Sequence, residues 1–418
     1  MTIARGPAAS LWALLFLLAG PARAGITARI PAGQGDPGFP NWFFVSPDGY
    51  HFALIQVDKG VELLIKDGKV AAKGKQTFSS YDDSLHQLRA SGAFGSNGRL
   101  AMVRALLDDD GRRVGEQVWV DGRPGKVYEQ VQGLVMTPDG RRLAYAAKDR
   151  AGWHLVVEGA AGPALRSAPT SITFNPQGSE AAYLAEGSLF IGSKRIRPWD
   201  AARLLFSPDW KRVAWVKVDD IGRETVGIDD AALGRSSQIH AAGFSPDGAR
   251  FGYSVLERVG SELKGLVMID GAQSGPPLES YVREIAYSPA RSAYWFGELG
   301  PKNHVLFRDG APGDRWEFVT GRPCVAFSPS GAHSAYAAHR GGQQLLVVDG
   351  VPEPGGPNVL FGNSGLVFDD EREFHFFSSR GFDTPELVCA AVGRAPAPEE
   401  SACVRKARRV FPADAAQP

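Results

Sequence analysis

One four-residue turn recurs along this chain at nearly constant spacing, and it restricts the folds that the chain can adopt. Ser-Pro-Asp-Gly is intact at residues 46–49 and 245–248, and Thr replaces Ser at residues 137–140. Altered copies stand at residues 175–178, 207–210, 288–291 and 328–331. From Pro138 to Pro329 the turns lie 38, 32, 38, 43 and 40 residues apart. That spacing is the period of one blade in a β-propeller.

Each unit of this length predicts four β-strands. In the unit that begins at residue 131, residues 134–136 form a short apolar strand, residues 143–147 a second and residues 153–157 a third, before a weaker fourth stretch. The third strand usually ends in Asp-Gly, at residues 67–68, 121–122, 270–271, 309–310 and 349–350. Asp-Gly after a β-rich run indicates a tight hairpin, because a two-residue reversal needs positive φ at both positions.

The second strand of six units carries a small residue followed by an aromatic one. These pairs are Ala144-Tyr145, Ala182-Tyr183, Ala214-Trp215, Gly252-Tyr253, Ala293-Tyr294 and Ala335-Tyr336. Neighbouring residues of a strand face opposite sides of the sheet. We therefore expect each small residue to contact one adjacent sheet and each ring to pack against the other.

The units predict an all-β chain that forms a single closed β-propeller of four-stranded blades. Nine units can be counted, around Pro47, Asn97, Pro138, Pro176, Pro208, Pro246, Pro289, Pro329 and residues 366–377. Eight or nine blades are compatible with this pattern; the count favours nine, but eight is preferred because nine-bladed rings are uncommon. Residues 26–30 are predicted to be a strand that completes the final blade, which has three strands of its own.

The order of motifs within a unit resembles a known family. An apolar strand is followed by Ser-Pro-Asp-Gly or Thr-Pro-Asp-Gly, then by Arg-x-Leu-Ala-Tyr at residues 141–145, and elsewhere by Leu-Val-Val-Asp-Gly at residues 346–350. This pattern resembles the WD40-like PD40 repeats of the TolB-type β-propellers, over about residues 40–390. The resemblance implies a periplasmic scaffold for protein–protein interaction. TolB itself carries an additional N-terminal α/β domain, whereas here the leader runs straight into the blades.

The N-terminal residues predict a secretory signal peptide. Arg5 supplies a positive charge, residues 11–18 are apolar, and Ala22-Arg23-Ala24 has small residues where signal peptidase cleaves. The apolar run is shorter than the roughly 20 residues of a membrane-spanning helix, although a retained anchor is the alternative. The predicted organisation is a signal peptide at residues 1–24, a propeller at 25–395 and a C-terminal tail at 396–418. The mature chain is expected to be periplasmic or secreted, without insertion into the membrane.

The three cysteines all lie late in the sequence, at Cys324, Cys389 and Cys403. Export to an oxidising compartment favours a disulfide. Cys389 and Cys403 bracket a short loop and are the preferred pair; Cys324 with Cys389 is the alternative, because connectivity cannot be deduced from sequence. The remaining thiol is expected to be buried and unreactive, since no cysteine has a neighbouring His.

No motif predicts catalytic, cofactor-binding or metal-binding residues. The chain lacks a Gly-x-Ser-x-Gly nucleophile elbow, a His-Glu-x-x-His pair and a Cys-x-x-Cys pair, and its eight His are scattered. Residues 108–111 (Asp-Asp-Asp-Gly) suggest Ca²⁺, but without alternating ligand spacing a solvated hairpin is the preferred interpretation. Lys and Arg together number 46, as do Asp and Glu. That balance gives no long-range attraction to nucleic acid.

The connections between strands distinguish the two faces of the predicted ring. Both tight turns of a blade lie on one face, and the longer, varied connections between second and third strands lie on the other. Binding residues concentrate on variable loops held by a rigid scaffold. The candidate binding residues on these loops are Arg112, Arg113, Asp219, Arg223, Arg258 and Glu262.

The sequence therefore predicts an exported propeller that binds a protein or peptide partner through its variable loop face, with no catalysis evident. One alternative is a propeller-type hydrolase or lyase in which carboxylates and His converge at the central channel. Another is a sensor for a small ligand or sugar, which requires aromatic platforms on the loop face. Trp199, Tyr281 and Trp316 are the candidates for such platforms, although packing is the preferred role for them.

Overall fold

The chain forms nine antiparallel sheets of four strands each within the residues that the structure describes. This computed structural model describes residues 24–32, 43–58, 61–74, 80–82, 87–89, 92–236, 238–321, 323–353, 365–379 and 385–412. Strands that are consecutive in sequence are neighbours in each sheet, except where the ring closes. The predicted all-β propeller is confirmed. Of the predicted signal peptide at residues 1–24, residues 1–23 lie outside the described residues, and Ala24 is the first residue of the first strand.

The blades succeed one another in chain order. The first strand is β1 (Ala24–Pro31), followed by blade 1 with β2 (Phe43–Val45), β3 (Phe52–Asp58), β4 (Val61–Lys66) and β5 (Lys69–Gly74). A small sheet of β6 (Ser80–Asp82) and β7 (Gln87–Arg89) precedes blade 2, with β8 (Gly92–Phe94), β9 (Leu100–Leu107), β10 (Arg113–Val120) and β11 (Arg123–Tyr128). Blade 3 has β12 (Gln130–Met136), β13 (Leu143–Asp149), β14 (Gly152–Val157) and β15 (Ala160–Ala161).

Blade 4 has β16 (Thr170–Phe174), β17 (Ala181–Ala185), β18 (Ser188–Ile191) and β19 (Lys194–Pro198), and blade 5 has β20 (Arg203–Phe206), β21 (Val213–Val218), β22 (Glu224–Ile228) and β23 (Ala231–Ser236). Blade 6 has β24 (Gln238–Phe244), β25 (Phe251–Val259), β26 (Glu262–Ile269) and β27 (Ala272–Gln273). Blade 7 has β28 (Ala286–Tyr287), β29 (Ala293–Glu298), β30 (His304–Arg308) and β31 (Ala311–Trp316).

In blade 8 the first strand is split into β32 (Phe318–Thr320) and β33 (Ala326–Phe327), which both pair with β34 (Ser334–Arg340); β35 (Gln343–Val348) and β36 (Val351–Glu353) follow. Blade 9 has β37 (Val367–Phe368), β38 (Glu373–Ser379) and β39 (Pro385–Val392). The chain then ends in the helix α1 (Ala402–Val410).

The ring is closed by a sheet that joins the two ends of the chain. Strand β1 pairs antiparallel with β39, from Ala24 opposite Val392 to Pro31 opposite Glu386, and the sheet order is β1-β39-β38-β37. The N-terminal strand is therefore the outermost strand of blade 9, as the sequence predicted. Pairing distant segments of the chain in this way leaves blade 9 without a free edge at β39.

The packing between blades shows that the ring has nine members. Among the described residues, nine clusters of buried side chains each join two neighbouring blades. The cluster that joins blade 9 to blade 1 includes Phe377 from the former and Phe52 from the latter. The preference for eight blades is therefore wrong. The ninth unit lacks the turn motif, yet Phe374 and Phe376 of β38 pack on blade 8 while Phe377 packs on blade 1.

The recurrent Ser-Pro-Asp-Gly turn holds itself together with side-chain hydrogen bonds. In blade 6, the Ser245 hydroxyl donates to Asp247 Oδ1 at 2.6 Å and accepts from the backbone N–H of Arg250 at 2.9 Å. Gly248 has φ +71° and donates its N–H to the Ser245 carbonyl. The same contacts recur at Ser46, Thr137 and Ser207. The motif therefore recurs because each of its polar side chains has a turn-forming partner.

The Asp-Gly turn also ties two strands of the blade together. Asp270 lies in the left-handed region at φ +53°, as a two-residue hairpin requires. Its Oδ1 accepts a hydrogen bond from the backbone N–H of Phe251, the first residue of β25, at 2.9 Å. Equivalent contacts are made by Asp67, Asp121, Asp309 and Asp349. A carboxylate at this position thus satisfies an N–H that the strand ladder does not use.

The pattern of small and aromatic residues is confirmed in five of the six units. Ala144 packs in the cluster toward blade 4, while Tyr145 packs in the cluster toward blade 2. Blade 7 is the exception: Ala293 faces blade 6 and Tyr294 faces blade 8. There the turn is one residue shorter, since Ser288 pairs with Ser292, four positions on, whereas intact turns pair residues five positions apart. A shift of one residue moves every side chain to the other face of the sheet.

A substitution at Gly248 tests the packing of these turns between blades. A Cβ added at Gly248 lies 3.0 Å from Ser207 Cβ of blade 5, whereas one at Gly222, also at positive φ, meets nothing within 4 Å. We expect Gly222→Val to lose about 1–2 kcal/mol from the left-handed backbone alone, and Gly248→Val to lose more. Urea unfolding of both variants measures the difference, and equal losses would contradict a close contact between the turns.

The C-terminal residues form a helix that the sequence analysis did not anticipate. Ser401 caps α1 by accepting from the Val404 N–H, and Glu373 Oε2 accepts from the backbone N–H groups of Ala402 and Cys403 at 2.9 and 3.2 Å. A carboxylate at a helix N-terminus is favourable because the orphan N–H groups and the helix dipole attract it. The helix therefore begins at the point where Glu373 of blade 9 accepts hydrogen bonds from its first N–H groups.

The helix is fastened to the closing sheet by a disulfide and by packing. Cys403 is bonded to Cys389 of β39, which is the pairing that the sequence favoured. Val404, Ala407 and Phe411 are buried in the cluster that joins blades 9 and 1. Lys406 Nζ lies 3.0 Å from Asp48 Oδ2 in the first turn of blade 1. The tail thus contacts both sides of the junction between the chain ends.

Candidate functional site

The six predicted binding residues lie on the face opposite the tight turns, in three separate hairpins. Arg112 and Arg113 belong to the connection between β9 and β10 of blade 2. Asp219 and Arg223 lie in the connection between β21 and β22 of blade 5. Arg258 and Glu262 lie at the β25–β26 hairpin of blade 6. The residues of blades 5 and 6 are therefore on neighbouring blades, and those of blade 2 are elsewhere on the ring.

In blade 2 the acidic run forms an ordinary hairpin turn. Asp108 Oδ1 accepts hydrogen bonds from the backbone N–H groups of Asp110 and Arg112, at 3.1 and 2.8 Å. Arg112 pairs with Asp110 at 3.3 Å, and Arg113 pairs with Glu116 at 2.8 Å. Asp108 and Asp110 therefore have partners within their own turn.

The predicted residues of blades 5 and 6 divide into structural and exposed groups. Asp219 Oδ1 closes its own turn by accepting from the backbone N–H groups of Ile221 and Arg223, and Oδ2 pairs with Arg235. Glu262 pairs with Lys264 at 2.7 Å. Arg223 and Arg258 have exposed side chains and no ion pair among the described residues. The two arginines therefore remain available to a partner, as does the exposed Asp220 of blade 5.

Exposed aliphatic side chains accompany those charges. Val218 and Ile221 lie at the blade 5 hairpin, and Val259 and Leu263 lie at the blade 6 hairpin; Ile221 is 73% exposed and Leu263 is 56% exposed. Aliphatic residues that are exposed on several adjacent loops, with polar residues around them, are typical of interaction surfaces. The sequence analysis singled out the charges of these loops and missed their apolar residues.

A cavity of about 300 Å³ lies further along the same face, between blades 7 and 8. Tyr281 and Phe318 line it and are 40% and 47% exposed. The Tyr281 ring is stacked on the ring of His240, with centroids 3.7 Å apart and planes at 9°. His304 and His339 contact the ring of Phe318, with centroids 5.9 and 5.4 Å away. Of the scattered His, His304 thus lines the cavity, while His240 and His339 contact its aromatic residues.

The imidazoles of this cluster are only partly satisfied by the chain. His304 Nδ1 lies 3.0 Å from the Glu317 carbonyl oxygen. Since a carbonyl only accepts, Nδ1 carries the proton and Nε2 of a neutral imidazole is an acceptor. Nε2 of His240 and Nε2 of His339 are buried without a hydrogen-bond partner among the described residues. Burial lowers the pKa of both His240 and His339, which favours their neutral forms.

Two carboxylates also line the cavity, and each already accepts a hydrogen bond. Glu284 Oε2 accepts from the backbone N–H of Cys324 at 3.0 Å, and Glu298 Oε2 accepts from the Ser280 hydroxyl at 3.2 Å. Burial, reinforced by the neighbouring Glu284, raises the pKa of the Cys324 thiol. A raised pKa favours the protonated thiol, a poor nucleophile; the residue itself is partly buried, not buried as the sequence predicted.

Of the three candidate aromatic platforms, Tyr281 alone is exposed. Trp199 and Trp316 are buried between blades, and the guanidinium groups of Arg197 and Arg340 cover their rings at 3.9 and 4.1 Å. These tryptophans pack, as the preferred interpretation held. Phe318, which the sequence analysis did not consider, takes their place beside the cavity.

The comparisons with known proteins identify no family. No family model and no curated protein matches this sequence. Among solved structures, it is similar to a eukaryotic initiation factor, with 12% identity, 82% of both chains covered and a TM-score of 0.45. Hydrazine synthase of Kuenenia stuttgartiensis has 14% identity over 77% of this chain and 97% of its own, with a TM-score of 0.37. TolB of Acinetobacter baumannii has 13% identity over 64% and 80%, with a TM-score of 0.29.

A buried polar cluster at the ring junction has a structural role rather than a chemical one. Asp369, His375 and Cys403 bring possible metal-ligand atoms together, but Cys403 is in the disulfide. His375 Nδ1 contacts Asp369 Oδ2 at 2.8 Å, and its Nε2 contacts the Asp48 carbonyl at 3.0 Å. The Tyr50 hydroxyl donates to the other Asp369 oxygen at 2.6 Å. Every member of the cluster thus links blade 9 to blade 1 or to α1.

Proposed function

We propose that this propeller is a binding module that takes a protein or peptide partner on the loop face of blades 5 and 6. The observation that carries the proposal is the exposure of Val218, Ile221, Val259 and Leu263 on two neighbouring hairpins. Partner binding removes such side chains from water, which contributes roughly 25 cal/mol per Å² of apolar area. The unpaired charges of Arg223 and Arg258 provide a polar rim.

The proposal includes an exported location. A disulfide such as Cys389–Cys403 persists in oxidising compartments and is rare in the cytosol, and the N-terminal residues have the pattern of a signal peptide. Among the described residues, no helix is long and apolar enough to cross a membrane. Membership of the TolB-type PD40 family is part of the same proposal and is supported by the repeated turn motifs.

An aspartate introduced on either hairpin should weaken partner binding. We expect Ile221→Asp and Leu263→Asp, alone, to weaken capture of the partner at least tenfold, because each buries a charge against apolar surface. The measurement is affinity capture of cross-linked partners from the native envelope or secreted fraction by the tagged mature protein. Ile196→Asp is the matched control, since Ile196 is also exposed but lies on β19 at the rim of the ring. Equal capture by all variants would contradict the proposed surface.

Catalysis is a second candidate function, and one observation favours it. Glu284, Glu298 and His304 line a single cavity beside the innermost strand of blade 8, and a hydrolase or lyase requires such a meeting of carboxylates and imidazole. Its test is turnover of chromogenic esters and glycosides by the mature protein. If the wild type releases product and the Glu298→Gln variant does not, the protein is an enzyme and the proposal of a binding module is wrong.

A further inference from the structure

The cavity between blades 7 and 8 has a cause in the sequence. Where blades 3, 4, 5, 6 and 8 turn Ala or Gly toward the next blade, the shortened turn of blade 7 turns Tyr294 and Phe296 toward blade 8. The first strand of blade 8 is also interrupted between Thr320 and Ala326. Phe296 on one wall and residues 320, 321 and 324 of the interrupted strand on the other line the space of about 300 Å³.

The aromatic walls of the cavity are held in fixed orientations before any ligand arrives. His240 backs the Tyr281 ring by parallel stacking, so the exposed part of Tyr281 forms a flat surface. Phe318 is contacted by His304 and His339. Rings that are already ordered lose little conformational freedom when they bind a ligand, which favours affinity.

The polar groups of the cavity offer both donors and acceptors at short reach. Glu298 and Nε2 of His304 accept hydrogen bonds, while the Thr320 hydroxyl and the Arg283 guanidinium donate them. Arg283 is exposed and has no ion-pair or hydrogen-bond partner among the described residues. The described charges that line the cavity are Glu284, Glu298 and Arg283.

The combination of aromatic rings with hydrogen-bond donors and acceptors in the cavity favours some classes of ligand over others. A wholly apolar ligand would leave the carboxylates and the guanidinium desolvated without partners, which is costly. The carboxylates Glu284 and Glu298 repel an anion, and a compact cation would pair with them but leave the donors Arg283 and Thr320 without an acceptor. A neutral ligand with an apolar face and several hydroxyl groups satisfies the rings, the donors and the acceptors together.

We propose that this cavity is a carbohydrate subsite that holds one pyranose ring, with the C–H face of the sugar on Tyr281 and Phe318 and its hydroxyls on Glu298, His304 and Arg283. The cavity is at the lower end of the roughly 300–1,000 Å³ range of small-molecule sites, which suits a single ring. The subsite is separate from the proposed protein-binding hairpins of blades 5 and 6, and neither depends on the other.

The test is saturation-transfer NMR and calorimetry on the mature protein with glucose, galactose, mannose, N-acetylglucosamine and cellobiose. Sorbitol serves as the control probe because it has hydroxyls but no ring face. We expect at least one pyranose to bind with a Kd on the order of 1 mM and sorbitol not to bind. Tyr281→Ala and Phe318→Ala should each weaken binding at least tenfold, and Glu298→Gln several-fold. Ile196→Asp, at an exposed residue of β19 outside both proposed sites, should leave it unchanged.

Three results would overturn the proposal. They are the absence of any pyranose signal at about 10 mM sugar, equal binding of sorbitol and the pyranoses, and full affinity in both aromatic variants. The melting temperature of each variant shows whether the fold is kept. Tyr281→Leu provides a second variant if Tyr281→Ala does not fold, because Leu covers His240 but offers no flat ring; retained affinity in this variant also counts against the proposal.

Discussion

A mature chain that lacks residues 25–31 is expected to lose stability on the order of 5 kcal/mol and to associate with itself. Residues 25–31 contribute six paired residues to the ladder with β39, and each ladder hydrogen bond contributes about 1 kcal/mol net. Deletion also exposes the edge of β39, whose residues Leu387, Val388 and Cys389 are fully buried. An unpaired apolar edge strand is a template for aggregation.

Urea unfolding and size-exclusion chromatography measure the two effects. Arg29→Ala is the matched control on the same strand, because it removes only a partly exposed ion pair with Glu386, for which we expect less than about 1 kcal/mol. Adding a peptide of residues 25–31 should restore part of the stability, since the ladder can form between separate chains. A truncated protein that is monomeric with an unchanged midpoint would refute closure by β1.

Breaking the Cys389–Cys403 disulfide is expected to cost about 3 kcal/mol, because the bond closes a loop of about 15 residues and so restricts the unfolded chain. Reduction should also release α1, whose buried Val404 and Ala407 pack on the junction of blades 9 and 1. The measurements are urea unfolding with and without reductant, and amide hydrogen exchange of residues 402–410.

The double variant Cys389→Ala/Cys403→Ala distinguishes the effect of losing the disulfide from any other effect of the reductant on stability. Its stability should match that of the reduced wild type within about 1 kcal/mol and should not respond to reductant. Cys324→Ala keeps the disulfide and should respond as the wild type does. A wild-type protein that loses less than about 1 kcal/mol on reduction would show that packing alone holds the helix in place.

The candidate site was only partly accessible to sequence reasoning. The hairpins of blades 5 and 6 were identified as long connections; that was wrong for blade 6, where β25 and β26 extend until only residues 260–261 join them and Arg258 and Glu262 lie in the strands. Tyr281 was identified as an aromatic near a loop. His240, His304 and His339 are 64 and 35 residues apart in sequence, and no spacing rule connects them. Their contacts with Tyr281 and Phe318 follow from the ring, which brings β24 of blade 6, β30 of blade 7 and β34 of blade 8 close to these two rings.

The register of blade 7 shows the limit of pattern matching most clearly. Ala293-Tyr294 matches the small–aromatic pattern of the other units, yet the turn before it is one residue shorter, so the structural counterpart of Tyr253 is Trp295. The offset is visible in the sequence as the distance from Ser288, but the match of residue types concealed it. Register depends on hydrogen bonds across the turn rather than on composition.

The sequence by itself determined the blade, because turn chemistry and strand alternation act over a few residues and are repeated about every 40. It also determined that the first strand and the last unit complete one sheet. Only the tertiary structure decided the number of blades, the helix that covers the junction and the residues around the cavity. Those features depend on contacts between segments far apart in the chain, such as the hydrogen bond from the first residue of α1 to Glu373 and the stacking of Tyr281 on His240. Burial and packing select such contacts without leaving a local pattern in the sequence.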